Sequence, residues 1–207
     1  MKRKQKDRLL LISTGVPSQM GGLKRLSLEM KMFSKDYEVF FMQIDLGGEQ
    51  SNRINIDYKS IRIVPNEIVL EPDCLLLAPQ TWIRTMKIAS VREKVQDYID
   101  KNKIDVVVMH PIDTCLALRG ITAKTKIAEI LDSTYRYYKT KHEWKPTLYT
   151  WFMCQTQCWL EEIFHLMMAK DYDLLVFVGK DDVPRYGYAR TKSIVCEGRD
   201  MPMNNGG

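Results

Sequence analysis

No run in the 207-residue sequence has the length and apolarity of a transmembrane helix. Cysteine is scarce: Cys74, Cys115, Cys154, Cys158 and Cys196 are odd in number and scattered. That argues against a disulfide framework and fits a reducing cytoplasm. The basic start, MKRKQKDR, is not followed by a signal-peptide core and cleavage site, because the next apolar run is short and ends in a glycine loop. Residues 1–7 read as a solvated basic tail, with attraction to anionic lipid as the alternative. A complete G-x-G-x-x-G is missing, as is the Walker lysine–serine pair of a phosphate-binding loop. There is no G-x-S-x-G nucleophile elbow, no carboxylate pair spaced for hydrolysis, no internal repeat and no low-complexity run.

Charge of one sign is only mildly in excess. The net charge of +5 favours anionic partners such as phosphates, nucleotides or an acidic membrane surface. It falls short of a nucleic-acid binder's density, and no groove-reading motif accompanies it. Apolar residues at 45% and charged residues at 28% are ordinary for a water-soluble globular domain with a sizeable core.

What is present is alternation. Apolar strand patterns fall at 8–14, 38–45, 60–64, 104–110, 126–132, 173–179 and 192–197. Helical patterns lie between them at 23–34, 81–102, 114–119, 134–142 and 147–170, with a helical turn or two at 180–185. The strand IDVVVMH is apolar at consecutive positions, as a central parallel strand should be. The pattern predicts an α/β fold: one Rossmann-like, doubly wound domain over 8–199, with a mainly parallel sheet of about seven strands flanked by helices. Residues 200–207 read as a polar tail or the start of an interdomain linker.

The helix at 148–168 has its own pattern. Thr150, Gln157, Glu161 and His165 fall on one narrow polar stripe, and most of the rest is apolar. Such a helix must be covered on several sides, either as a core helix or by meeting another domain, a second subunit or a membrane surface.

Candidate site residues gather at the expected carboxyl ends of strands, where open α/β sheets bind ligands. Gly21 and Gly22 precede the first helix, where backbone N–H groups and the helix dipole suit a phosphate or sugar. His110 ends the fourth strand, and Asp132-Ser133-Thr134 ends the fifth and opens a helix. Asp132 or Ser133 serves either as a helix cap or as a ligand-facing group. The stretch YRYYKTKHEWK mixes aromatics with Arg136, Lys139, Lys141 and Lys145, either as a solvated face with snorkelling lysines or as an acceptor- or lipid-facing surface. Cys154, Cys158 and His165 share helical spacing but lack a partner pair elsewhere, so no metal site is expected. Asp181-Asp182 reads as a helix cap.

Taken in order, these segments resemble the N-terminal, acceptor-binding domain of a retaining glycosyltransferase of the two-Rossmann-domain (GT-B) type, family 4. LLLISTGVPSQMGGLKRLSLEM resembles the family's strand, glycine loop and helix, and YEVFFMQID its second strand. IDVVVMH resembles the strand ending in His, KIAEILDSTYRYYK the segment with an acidic residue before small polar ones, and DYDLLVFVGKDDVPRYG the strand before the crossover. KSIVCEGRD is similar to the closing strand and turn, but Glu197 stands where Asn is usual and Arg199 where Val is usual.

The resemblance implies a nucleotide-sugar donor as substrate, a glycan, lipid-linked or other acceptor, and no obligatory metal or other cofactor. It places Gly21 and Gly22 near the donor diphosphate, and Asp132 near the reacting sugar with His110 as a second catalytic candidate. Ser133, Thr134 and Arg136 would face the acceptor. The natural setting would be polysaccharide or glycoconjugate assembly in the cytoplasm, with peripheral contact at the inner membrane face as an option. The family's donor domain, with its Glu-x7-Glu motif, lies outside these residues. This chain alone is therefore expected to need that domain or a partner subunit for activity, the alternative being a non-catalytic Rossmann-like nucleotide- or phosphate-binding module or the partner subunit of a split enzyme.

Overall fold

The computed structural model describes residues 6–15, 23–46, 59–65, 80–130, 134–177, 179–180 and 192–195. Strands β1 (Arg8–Ser13), β2 (Glu38–Ile44), β3 (Lys59–Ile63), β4 (Val106–His110), β5 (Thr125–Ile130), β6 (Leu174–Phe177) and β7 (Ser193–Val195) form one seven-stranded sheet. Its order is β3-β2-β1-β4-β5-β6-β7. The pairs β1–β2, β1–β4, β2–β3 and β6–β7 are parallel. This is the α/β, doubly wound arrangement predicted from the alternating pattern. By contacts the chain divides into two compact units, residues 1–127 and 128–207.

In the first unit, both faces of the central strands are apolar, so alternate residues go to opposite layers. Leu9, Leu11, Val39, Phe41 and Val108 pack with Leu26 and Met30 of helix α1 (Leu23–Phe33). Leu26, Met30 and Phe33 recur at helical spacing, which turns one stripe of α1 to the sheet. On the other face Leu10, Ile12, Phe40, Met42, Val107 and Met109 are equally buried.

The single helix predicted over 81–102 is two: α2 (Gln80–Ala89) and α3 (Arg92–Asn102). At the junction the Ser90 N–H is shared between the carbonyls of Met86 and Lys87, and its hydroxyl donates to the Lys87 carbonyl at 2.7 Å. The serine side chain thus competes for the backbone acceptors that would carry the helix on. Helix α3 ends on Lys103, which takes a left-handed conformation at φ 51°. Helix α4 (Ile112–Ala117) starts two residues before the predicted 114–119, with Pro111 at its N-cap.

The second unit holds α5 (Thr134–Trp144), α6 (Leu148–Asp171), β6 and β7. Lys145, Pro146 and Thr147 join the two helices. Thr147 caps α6 in a reciprocal box: its hydroxyl accepts the Thr150 N–H at 3.1 Å, and the Thr150 hydroxyl accepts the Thr147 N–H at 3.0 Å. His142 Nδ1 lies 2.9 Å from the Thr150 hydroxyl, which fixes the end of α5 to the start of α6.

The polar stripe of α6 faces inward. Thr150 and His165 are buried, with Cys154, Met168 and Ala169 on the same side. Leu148, Phe152, Trp159, Ile163 and Leu166 face outward, Trp159 with 74% of its surface exposed. Of the two readings of this helix, a fully covered core helix is not what the structure shows.

Candidate functional site

A sheet whose order reverses has a crevice beyond the carboxyl ends of the strands where the reversal occurs. Here the reversal lies between β1 and β4, both in the first unit. Ser13 and His110 end these strands as register partners. Ser13 is fully buried, and its hydroxyl accepts the Gly15 N–H at 3.0 Å, turning the chain out of β1. His110 is buried at the end of β4, followed by a cis peptide to Pro111.

Two residues outside the predicted set complete this rim. Asp113, on the first turn of α4, has 4% of its surface exposed. Its Oδ2 lies 2.7 Å from Arg84 Nε of α2, and its Oδ1 accepts the Thr114 N–H at 2.9 Å. Arg84 Nη2 also donates to the Thr14 hydroxyl at 3.3 Å. Burial raises the Asp113 carboxyl above its usual range, while the Arg84 guanidinium draws it back. One cation and one anion cancel here, so the pair adds no net charge beside the buried Ser13 and His110. On the next strand out, Asp45 follows β2 and pairs with Arg62 of β3.

Neither Arg84 nor Asp113 carried a periodic signal. Asp113 was accessible from its place three residues beyond the strand-ending His110. Arg84, inside an ordinary helical pattern, was not.

In the second unit, Thr134 opens α5 and Arg136 is exposed on it. The Tyr135 N–H donates to Glu161 Oε1 of α6 at 2.7 Å, so a carboxylate already meets the positive end of the α5 dipole. His165 stands edge-on to Phe177 of β6, ring centroids 5.1 Å apart, and burial lowers its pKa to about 4. Gly21, Gly22, Asp132 and Ser133, the side chain of Thr134, and Asp181-Asp182 lie outside the described residues. Of the predicted site set, the structure therefore describes the surroundings of His110 and Arg136. Among the described residues, no group of three or more His, Cys, Asp or Glu side chains is placed to hold a metal ion, and no helix is long and apolar enough to cross a membrane.

No protein-family model and no curated protein matches the sequence. Among solved structures, the chain is similar to sucrose-phosphate synthase from Thermosynechococcus elongatus, with 11% identity and a TM-score of 0.53. That match covers 83% of this chain and 42% of the synthase, so the chain spans less than half the synthase's length. A second structure of the same synthase matches with 10% identity and a TM-score of 0.55, over 93% of this chain and 90% of that one. At such identities the likeness concerns backbone architecture: the chain has the Rossmann-like α/β fold of one half of a GT-B enzyme.

Proposed function

We propose that the chain is the acceptor-binding half of a retaining, family 4-like glycosyltransferase that moves a sugar from a nucleotide-sugar to a glycan or lipid-linked acceptor in polysaccharide or glycoconjugate assembly. The observation that carries this reading is the rim at the β1–β4 reversal. A sheet with the fold of one GT-B half ends there in Ser13, Thr14 and His110, beside an Arg84–Asp113 pair of zero net charge. An arginine already balanced by a carboxylate suits a neutral sugar better than a phosphate, which would call for uncompensated cations. In this reading Asp132 is the catalytic candidate near the reacting sugar and acceptor, His110 is the second, and Ser133, Thr134 and Arg136 face the acceptor. Gly21 and Gly22 border the donor diphosphate, which a second α/β domain holds for the most part.

The test is a titration of the chain with oligosaccharide and lipid-linked acceptors, followed by the His110 ring resonances. It is run beside turnover assays with a panel of nucleotide-sugars. The expected result is acceptor-dependent movement of the His110 signals, no movement with Arg84→Ala, and negligible sugar transfer by the chain alone. Robust turnover without a partner, or no response to any acceptor, would sink the proposal.

A further inference from the structure

Helix α6 buries Thr150 and His165 and leaves a set of its large apolar residues in water. Leu148, Phe152, Trp159, Ile163 and Leu166 recur every three, four or seven residues, which places them on one face, and all are exposed. Gln155 and Glu162 border that face, and the exposed Lys170 continues it one turn beyond Leu166. Trp144, at the end of α5, is a further large aromatic, 88% exposed. Isolated exposed apolar residues are ordinary, but five large ones on one face of a 24-residue helix have a cost in water that a partner removes.

Charge selects the partner. Residues 135–152 carry four basic side chains, Arg136, Lys139, Lys141 and Lys145, against one acid, Glu143, all exposed. Trp144, Tyr149 and Trp151 lie among them, also exposed. Tryptophan and tyrosine with lysines form the combination that settles at the boundary between lipid headgroups and acyl chains. No described helix can cross a bilayer, so such a helix would lie along the surface. A second copy of the chain fits less well: a two-fold contact sets the same patch against itself and brings the lysines together.

We propose that the outer face of α6, with the basic end of α5, docks the protein onto an anionic lipid surface. The proposal rests on these side chains alone and not on the glycosyltransferase reading. A chain that binds lipid but ignores every acceptor would overturn that reading and leave this one standing.

The test uses the full chain and sedimentation with vesicles of phosphatidylcholine, with or without about 30% phosphatidylglycerol. Binding is expected to the anionic vesicles, to weaken with salt, and to shift tryptophan emission to the blue. The triple variant Lys139→Gln/Lys141→Gln/Lys145→Gln should bind about a hundredfold more weakly, at roughly fivefold per charge removed. Trp159→Ser should weaken binding about tenfold, since the ring would leave the acyl boundary. Both variants alter exposed positions, and unchanged circular dichroism spectra would confirm that they fold. The proposal is overturned by no binding to anionic vesicles, by equal binding of the variants, or by a solution dimer that Trp159→Ser dissociates.

Discussion

His165 offers a direct measure of how the second unit is held together. The imidazole is 4% exposed and faces the Phe177 ring, and burial lowers its pKa from 6.5 to about 4. In the unfolded chain it would titrate near 6.5. Between these values the unfolded state binds the extra proton, so stability is full above about pH 6.5 and falls as the pH drops toward 4. From about pH 7.5 to about pH 5 the loss is about 2 kcal/mol, and the whole interval is worth about 3 kcal/mol. With a typical urea slope of about 2 kcal/mol/M, the midpoint should move down by about 1 M. The chain has three histidines, so the informative quantity is the difference between wild type and His165→Gln, which cannot titrate. The variant should start less stable but lose about 2 kcal/mol less across the same pH step. Equal pH dependence in the two proteins would refute the reasoning.

Two further perturbations probe the first unit. Arg84→Ala leaves the buried Asp113 carboxylate without its cation, and should cost about 1–2 kcal/mol, the smaller end because Arg84 is half exposed. Adding Asp113→Asn should recover part of that loss, and a double-mutant cycle by urea unfolding would show strict additivity if the ion pair contributed nothing. Lys103→Gly relieves a non-glycine residue at φ 51° where α3 ends and should raise stability by about 0.5–1 kcal/mol in thermal unfolding. A decrease would show that the lysine side chain matters more than the backbone conformation.

The sheet was legible because its central strands are apolar at every position. VVVMH and LLLIS need no partner to be recognised as strands buried on both faces. The break between α2 and α3 was hidden for the opposite reason. Ile88, Val91, Val95 and Ile99 keep helical spacing straight through it, and all four are buried. Only the hydroxyl of Ser90 marks the interruption, and a serine in a helix usually marks nothing. His110 was found from its position at a strand end. The Arg84–Asp113 pair was not, because it joins two helices far apart in the chain, and such contacts leave no period in a sequence. In α6 the pattern gave the stripe correctly but not its direction. Hydrophobicity alone assumes that the apolar side is the covered one, whereas here Glu161 and His165 occupy the covered side.

That orientation reverses the usual map of which positions in a helix accept change. Along most helices a conservative polar-to-polar exchange passes unnoticed and a large aromatic cannot be replaced. In α6, Trp159 and Phe152 can become serine with little cost to folding, while Thr150, Glu161 and His165 are each held to their chemical identity by a capping box, a helix amide and an aromatic edge. Any selection that keeps the outward tryptophans in place must therefore act on something other than the stability of the folded chain.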